Sequence, residues 1–79
     1  MNWIDSPQST AIARFGYNFH IKALDVEFIS GETYRYFRVP EILFRQMKRA
    51  GSKGQFFMKY IYGRYHYTRL ENRQREHAT

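Results

Sequence analysis

The 79 residues are enough for one small domain and leave no room for a catalytic domain with an accessory one. Seven Phe, seven Tyr and one Trp supply much of the apolar content, so the core has to be built from a few large rings rather than many aliphatic side chains. The absence of cysteine excludes a disulfide framework and a thiolate zinc site, and a formal charge of +6 from 13 basic and 7 acidic residues favours partners that carry phosphate, carboxylate or flat aromatic surface.

That charge is segregated. Residues 1–44 hold four basic and five acidic side chains, a net −1, whereas residues 45–79 hold nine basic and two acidic, a net +7. No apolar run approaches the ~20 residues needed to cross a bilayer. The opening Met1-Asn2-Trp3-Ile4-Asp5 lacks the shape of a signal peptide, so with the missing cysteines the expected setting is the cytoplasm, with no membrane partner.

In chain order, residues 1–8 end in Ser6-Pro7-Gln8 and read as an irregular lead-in, because proline lacks the amide that a central strand needs. Residues 10–19 place Ala11, Ala13, Phe15, Tyr17 and Phe19 at period two, a strand with Gly16 as a candidate bulge. Leu24, Val26 and Phe28 alternate with Asp25 and Glu27, giving a second strand with one dry and one wet face. Ser30-Gly31-Glu32 is turn chemistry, with Gly31 available for a positive φ, and residues 33–39 resume as a third strand that pairs with the second as a hairpin.

Pro40 suits a first helical position and Glu41 the positive end of the helix dipole. Leu43, Phe44, Met47 and Ala50 then follow helical spacing, with Glu41, Arg45, Lys48 and Arg49 on the solvent side and Gly51 as the stop. Ser52 stands three residues before Gln55, the spacing of a capping box, and opens a second helix to about Tyr62 with Phe57 and Ile61 inward. Gly63 ends it. Residues 64–70 alternate aromatics as a final extended segment, and residues 71–79 are a polar, frayed tail. The expected fold is α+β: a small three-stranded antiparallel sheet followed by two short helices, which cover one sheet face.

Catalytic chemistry is sparse. His20, His66 and His77 are isolated from one another and lack metal-ligand spacing, so no metal or other cofactor is expected. Asp25 and Glu27 share one strand face, the ordinary composition of a solvated face rather than an acid/base pair, and Ser52 has no neighbouring base. The chain is expected not to be an enzyme.

Binding chemistry is richer. Gly51-Ser52-Lys53-Gly54 at the start of the second helix reads in two ways: as an anion cradle, or as a plain connection in which Gly51 and Ser52 are cap residues. Arg45, Lys48 and Arg49, at i, i+3 and i+4, share a helix face and extend with Lys59, Arg64 and Arg69 into a candidate basic stripe for phosphates; against that, Arg45 is also spaced to pair with Glu41. Tyr34-Arg35-Tyr36 and Tyr65-His66-Tyr67 are stacking platforms if exposed and core if buried, and in so short a domain Tyr36 and Tyr65 read as core, their hydroxyls satisfied by Arg35, Arg38 or backbone carbonyls. The residues expected to meet an anionic partner are therefore Arg45, Lys48, Arg49, Ser52, Lys53, Lys59, Arg64 and Arg69, with Tyr34 and Tyr62 as stacking candidates.

The ordered series Ser9-Thr10-Ala11-Ile12, Gly16-Tyr17-Asn18, Leu24-Asp25-Val26-Glu27-Phe28, residues 31–40 with Tyr34 and Tyr36 at their centre, Gly51-Ser52-Lys53-Gly54-Gln55-Phe56-Phe57 and Ile61-Tyr62-Gly63-Arg64-Tyr65 resembles the KTSC domain over about residues 9–70. That module stands at the C-terminus of some lysyl-tRNA synthetases and also occurs as small stand-alone bacterial and phage proteins. The resemblance implies an RNA-associated role and no aminoacylation, since nothing here is similar to the synthetase catalytic domain. Asn18, where an aspartate often follows the Gly-Tyr, and Phe56-Phe57, where Tyr-Phe is common, are mild departures. The function expected is a non-catalytic nucleic-acid-binding module, RNA before DNA. The alternative is a protein-interaction or inhibitor module, phage- or mobile-element-borne, docking on an acidic or nucleic-acid-binding surface of a larger host complex.

Overall fold

The alternation of Leu24, Val26 and Phe28 with Asp25 and Glu27 becomes β3 (Ala23–Phe28), the middle strand of an antiparallel sheet. The computed structural model describes residues 3–6 and 10–70. Five strands in sequential order make the sheet: β1 (Trp3–Asp5), β2 (Ile12–Asn18), β3, β4 (Thr33–Tyr36) and β5 (Tyr67–Leu70). Two helices, α1 (Glu41–Arg49) and α2 (Lys53–Tyr60), lie between β4 and β5 in the chain.

The α+β class and the β3–β4 hairpin are as expected, but the sheet has five strands rather than three. The supposed lead-in supplies β1, whose Trp3, Ile4 and Asp5 pair with Gly16, Phe15 and Arg14, and the final extended segment pairs with β4 as β5. Three- and four-residue strands carry too few alternations to announce themselves, and neighbouring backbone makes them strands. The polar-tail reading of residues 71–79 lies outside the described residues, as do positions 1, 2 and 7–9.

The bulge also sits elsewhere. Gly16 pairs in register with Asp25, and the register shift falls between Ile12 and Arg14. The extra residue re-phases β2, so that Ile12, Phe15 and Tyr17 all enter the core, where strict alternation would have sent Ala13. The β3–β4 turn uses Gly31 at φ +99°, as its sequence predicts. In the β2–β3 turn the Asn18 side-chain oxygen accepts hydrogen bonds from the amides of His20 and Ile21, at 2.9 and 3.3 Å. An aspartate would make the same bonds, which is why Asn18 is a mild substitution.

Register puts Phe15, Tyr17, Leu24, Val26, Tyr34 and Tyr36 on one face of the sheet, against Val39, Phe44, Met47, Phe57 and Ile61. Phe57 is the keystone of this layer, with its ring 5.3 Å from Tyr36 and 5.7 Å from Phe28. Phe44 stacks on Tyr17 at 5.0 Å and meets Phe15 edge-on at 6.0 Å. Pro40 is the N-cap of α1 rather than its first helical residue. Gly51 does not end α1 by a left-handed turn, because the chain leaves through an extended Ala50, whereas Gly63 does adopt φ +77°. The amide of Gln55 donates to the Ser52 hydroxyl at 3.2 Å, the N-cap its sequence predicts, and α2 closes at Tyr60, so Tyr62 lies in the following turn.

Candidate nucleic-acid interface

The opposite sheet face is polar, and it consumes the acidic residues. Arg35 on β4 donates to both carboxylate oxygens of Asp25 on β3, and Arg14 on β2 donates to Glu27 at 2.7 Å while covering the Trp3 ring at 4.4 Å. Asp25 is 2% exposed, so it is not the solvated strand-face residue that alternation suggests: the guanidinium of Arg35, opposite it in register, seals it. Arg35 therefore does not serve the Tyr36 hydroxyl, and the hydrogen bond raises its own already high pKa. Among the described residues no group of three or more His, Cys, Asp or Glu is placed to hold a metal ion.

Two further pairs complete the pattern. Arg45 Nε donates to Glu41 at 2.7 Å along α1, and Arg69 on β5 reaches Glu32 in the β3–β4 turn at 3.1 Å. Four of the five described acidic residues thus each hold an arginine. Among the described residues, seven cations meet no carboxylate: Lys22 and Arg38 in the loops, Lys48 and Arg49 on α1, and Lys53, Lys59 and Arg64 around α2. The surface charge left over is positive.

The expected binding residues divide accordingly. Lys48 and Arg49 stand exposed on α1, with the Lys48 ammonium 5.0 Å from the Phe44 ring. Arg45 shares their face but is tied to Glu41, and Arg69 sits apart at the hairpin end, tied to Glu32. In Gly51-Ser52-Lys53-Gly54 the polar groups are engaged by the chain itself: the Ser52 hydroxyl accepts from the Gln55 amide, and the Lys53 ammonium donates to the carbonyl of Ala50 at 3.1 Å. Ser52 and Lys59 are brought together along an open groove of about 640 Å³ between α2 and Thr10-Ala11. Arg64 Nε donates to the Lys59 carbonyl at 3.0 Å, which holds the guanidinium at the Lys59 backbone.

Two cations outside the expected set also meet no carboxylate among the described residues. Lys22 and Arg38 both occupy the left-handed region, at φ +54° and +58°, and the amide of Val39 donates to the carbonyl of Lys22 at 3.0 Å, docking the two loops. The Tyr17 hydroxyl donates to the Val39 carbonyl beneath them, and burial, with Glu41 nearby, raises its pKa. A lysine or arginine at positive φ has no local sequence signal, so these two read as part of a near-neutral scaffold.

Of the stacking candidates, Tyr62 is 57% exposed, whereas Tyr34 is half-buried between the rings of Phe28 and Tyr67, both under 6 Å away. Tyr36 is core, as expected, and Tyr65 is partly buried against it. Tyr67, in the same motif as Tyr65, is 59% exposed.

The model of the KTSC domain family matches residues 8–65. The chain belongs to the KTSC family. Its relatives include the lysine–tRNA ligases of Nostoc punctiforme and Trichormus variabilis, each 38% identical over 64 residues. That match covers 81% of this chain and only 11% of either ligase, so the KTSC domain is a small part of those proteins. The crystal structure of a KTSC domain protein from Yersinia pestis superimposes with a TM-score of 0.81 at 30% identity, covering 89% of this chain and 97% of that one. The fold is therefore shared by this KTSC domain and a solved relative. No helix among the described residues is long and apolar enough to cross a membrane.

Proposed function

We propose that this KTSC domain is a non-catalytic nucleic-acid-binding module that contacts phosphates with Lys48, Arg49, Lys22 and Arg38, reinforced by Arg45, Lys59 and Arg64. The observation that carries the reading is the asymmetry of ion pairing. Four of the five described acidic residues are each taken up by an arginine, while seven described cations meet no carboxylate among the described residues. Such cations bind by releasing condensed counterions, which makes affinity fall with salt. RNA is favoured over DNA because the relatives that contain this module are named as tRNA ligases. The test is fluorescence anisotropy with RNA and DNA oligonucleotides at two salt concentrations. No salt-sensitive binding tighter than about 10⁻⁴ M overturns the reading.

A protein-docking reading rests on a different observation. Ile21, Ile29, Ile42 and Met58 are each about half exposed or more, and aliphatic side chains do not stack on bases. Under that reading, partners recovered with the tagged protein persist after nuclease treatment, whereas partners bridged by nucleic acid are lost.

A further inference from the structure

We infer that the rings of Tyr62 and Tyr67 form a stacking platform for unpaired bases, so that the ligand is a single-stranded nucleic acid; this rests on the nucleic-acid reading above and narrows it. The two rings are the exposed ends of one aromatic chain. Tyr67 packs 5.5 Å from Tyr36, Tyr36 packs 5.3 Å from Phe57, and Phe57 packs 6.2 Å from Tyr62. The inner pair, Tyr36 and Phe57, is 2% and 1% exposed, whereas the outer pair is more than half exposed. Tyr34 supports Tyr67 from a second side at 5.5 Å. Rings braced on a buried floor lose little freedom when a ligand covers them, which is what a stacking surface requires.

The polar surroundings fit the same ligand. Tyr36, the buried ring under Tyr67, is 2% exposed and belongs to the core. Burial and the neighbouring Tyr67, Tyr34 and Tyr62 push its pKa up to about 12. Arg69 lies two residues from Tyr67 on the same strand face, with Glu32 already bound to it. Arg64 follows Tyr62 by two residues, and among the described residues only its Nε makes a hydrogen bond, which leaves the terminal amino groups to meet phosphate. Aromatic faces beside cations fit a base with its backbone. In a duplex the base faces are stacked on one another and unavailable to such a platform.

The experiment compares a labelled oligouridine RNA, its DNA counterpart and an RNA duplex of equal length, with Tyr62→Ala, Tyr67→Ala and a Lys48→Ala/Arg49→Ala double variant. Each tyrosine variant is expected to weaken single-strand binding roughly five- to a hundredfold and to leave duplex binding unchanged, while the double variant weakens both. Tyr62→Trp and Tyr67→Trp should retain affinity, and their fluorescence should be quenched by the single strand alone, a readout independent of how the alanine variants fold. Tyrosine variants that bind like wild type, or that lose duplex and single-strand affinity equally, overturn the platform and leave the nucleic-acid reading standing. Failure of every oligonucleotide to bind overturns both.

Discussion

Arg35 holds Asp25 across β4 and β3 with two hydrogen bonds of 2.9 and 3.0 Å, and closes over a carboxylate that is 3% exposed at its side chain. Arg35 itself is 30% exposed, so the pair is half in water and is worth less than a fully buried one. Removing one partner strands the other. Asp25→Ala is expected to cost about 2–3 kcal/mol by urea denaturation, and Asp25→Leu combined with Arg35→Met to recover most of that loss. A loss below about 0.5 kcal/mol would show that the pair contributes no more than an ordinary surface ion pair.

Tyr36 predicts an alkaline limit to stability. Burial comes first among the causes that raise its pKa to about 12, from an ordinary value of 10.0. Because the folded value is the higher, the unfolded chain loses this proton first as pH rises. The contribution is intact below pH 10 and is lost between pH 10 and 12, amounting to about 2–3 kcal/mol. Tyr17, raised in the same direction, adds to the effect. Denaturant midpoints across pH 9 to 12 should fall for wild type and fall less for Tyr36→Phe; equal slopes for the two proteins would count against this assignment.

Lys22 and Arg38 pay a backbone penalty for their positions. A left-handed residue other than glycine costs about 1–2 kcal/mol, partly offset by the freedom glycine adds to the unfolded chain. Lys22→Gly and Arg38→Gly are each expected to stabilise the fold by about 0.5–1 kcal/mol in thermal melts. In the nucleic-acid reading both also weaken binding. Stabilisation with undiminished affinity would remove these loops from the interface.

Lys48 and Arg49 differ from Arg45 in having no carboxylate beside them among the described residues. In log–log plots of affinity against salt, Lys48→Ala and Arg49→Ala should each flatten the slope by about 0.7 for a single strand. Arg45→Ala should change it less, because Glu41 already neutralises that guanidinium. A larger effect from Arg45 than from either neighbour would place the contact elsewhere on α1.

The sequence by itself determined whatever repeats over a short stretch of chain. The period-two pattern of Leu24, Val26 and Phe28, the glycine at position 31, the Ser52 cap and the inward Phe44, Met47, Phe57 and Ile61 are each set by their near neighbours, and each forms as the pattern predicts. The ordered motifs that mark the KTSC domain are legible for the same reason. Tertiary structure alone decided what depends on partners distant in the chain. Trp3–Asp5 becomes a strand because β2 presents its edge, and Tyr67–Leu70 because β4 does, at a separation that no local window spans. The division of the cations into paired and unpaired is of the same kind. Arg14, Arg35 and Arg69 look no different in sequence from Arg38 or Arg49. Strand register places an acid opposite or beside the first three and none beside the other two, so the fold, rather than the composition, sets which charges remain for a ligand.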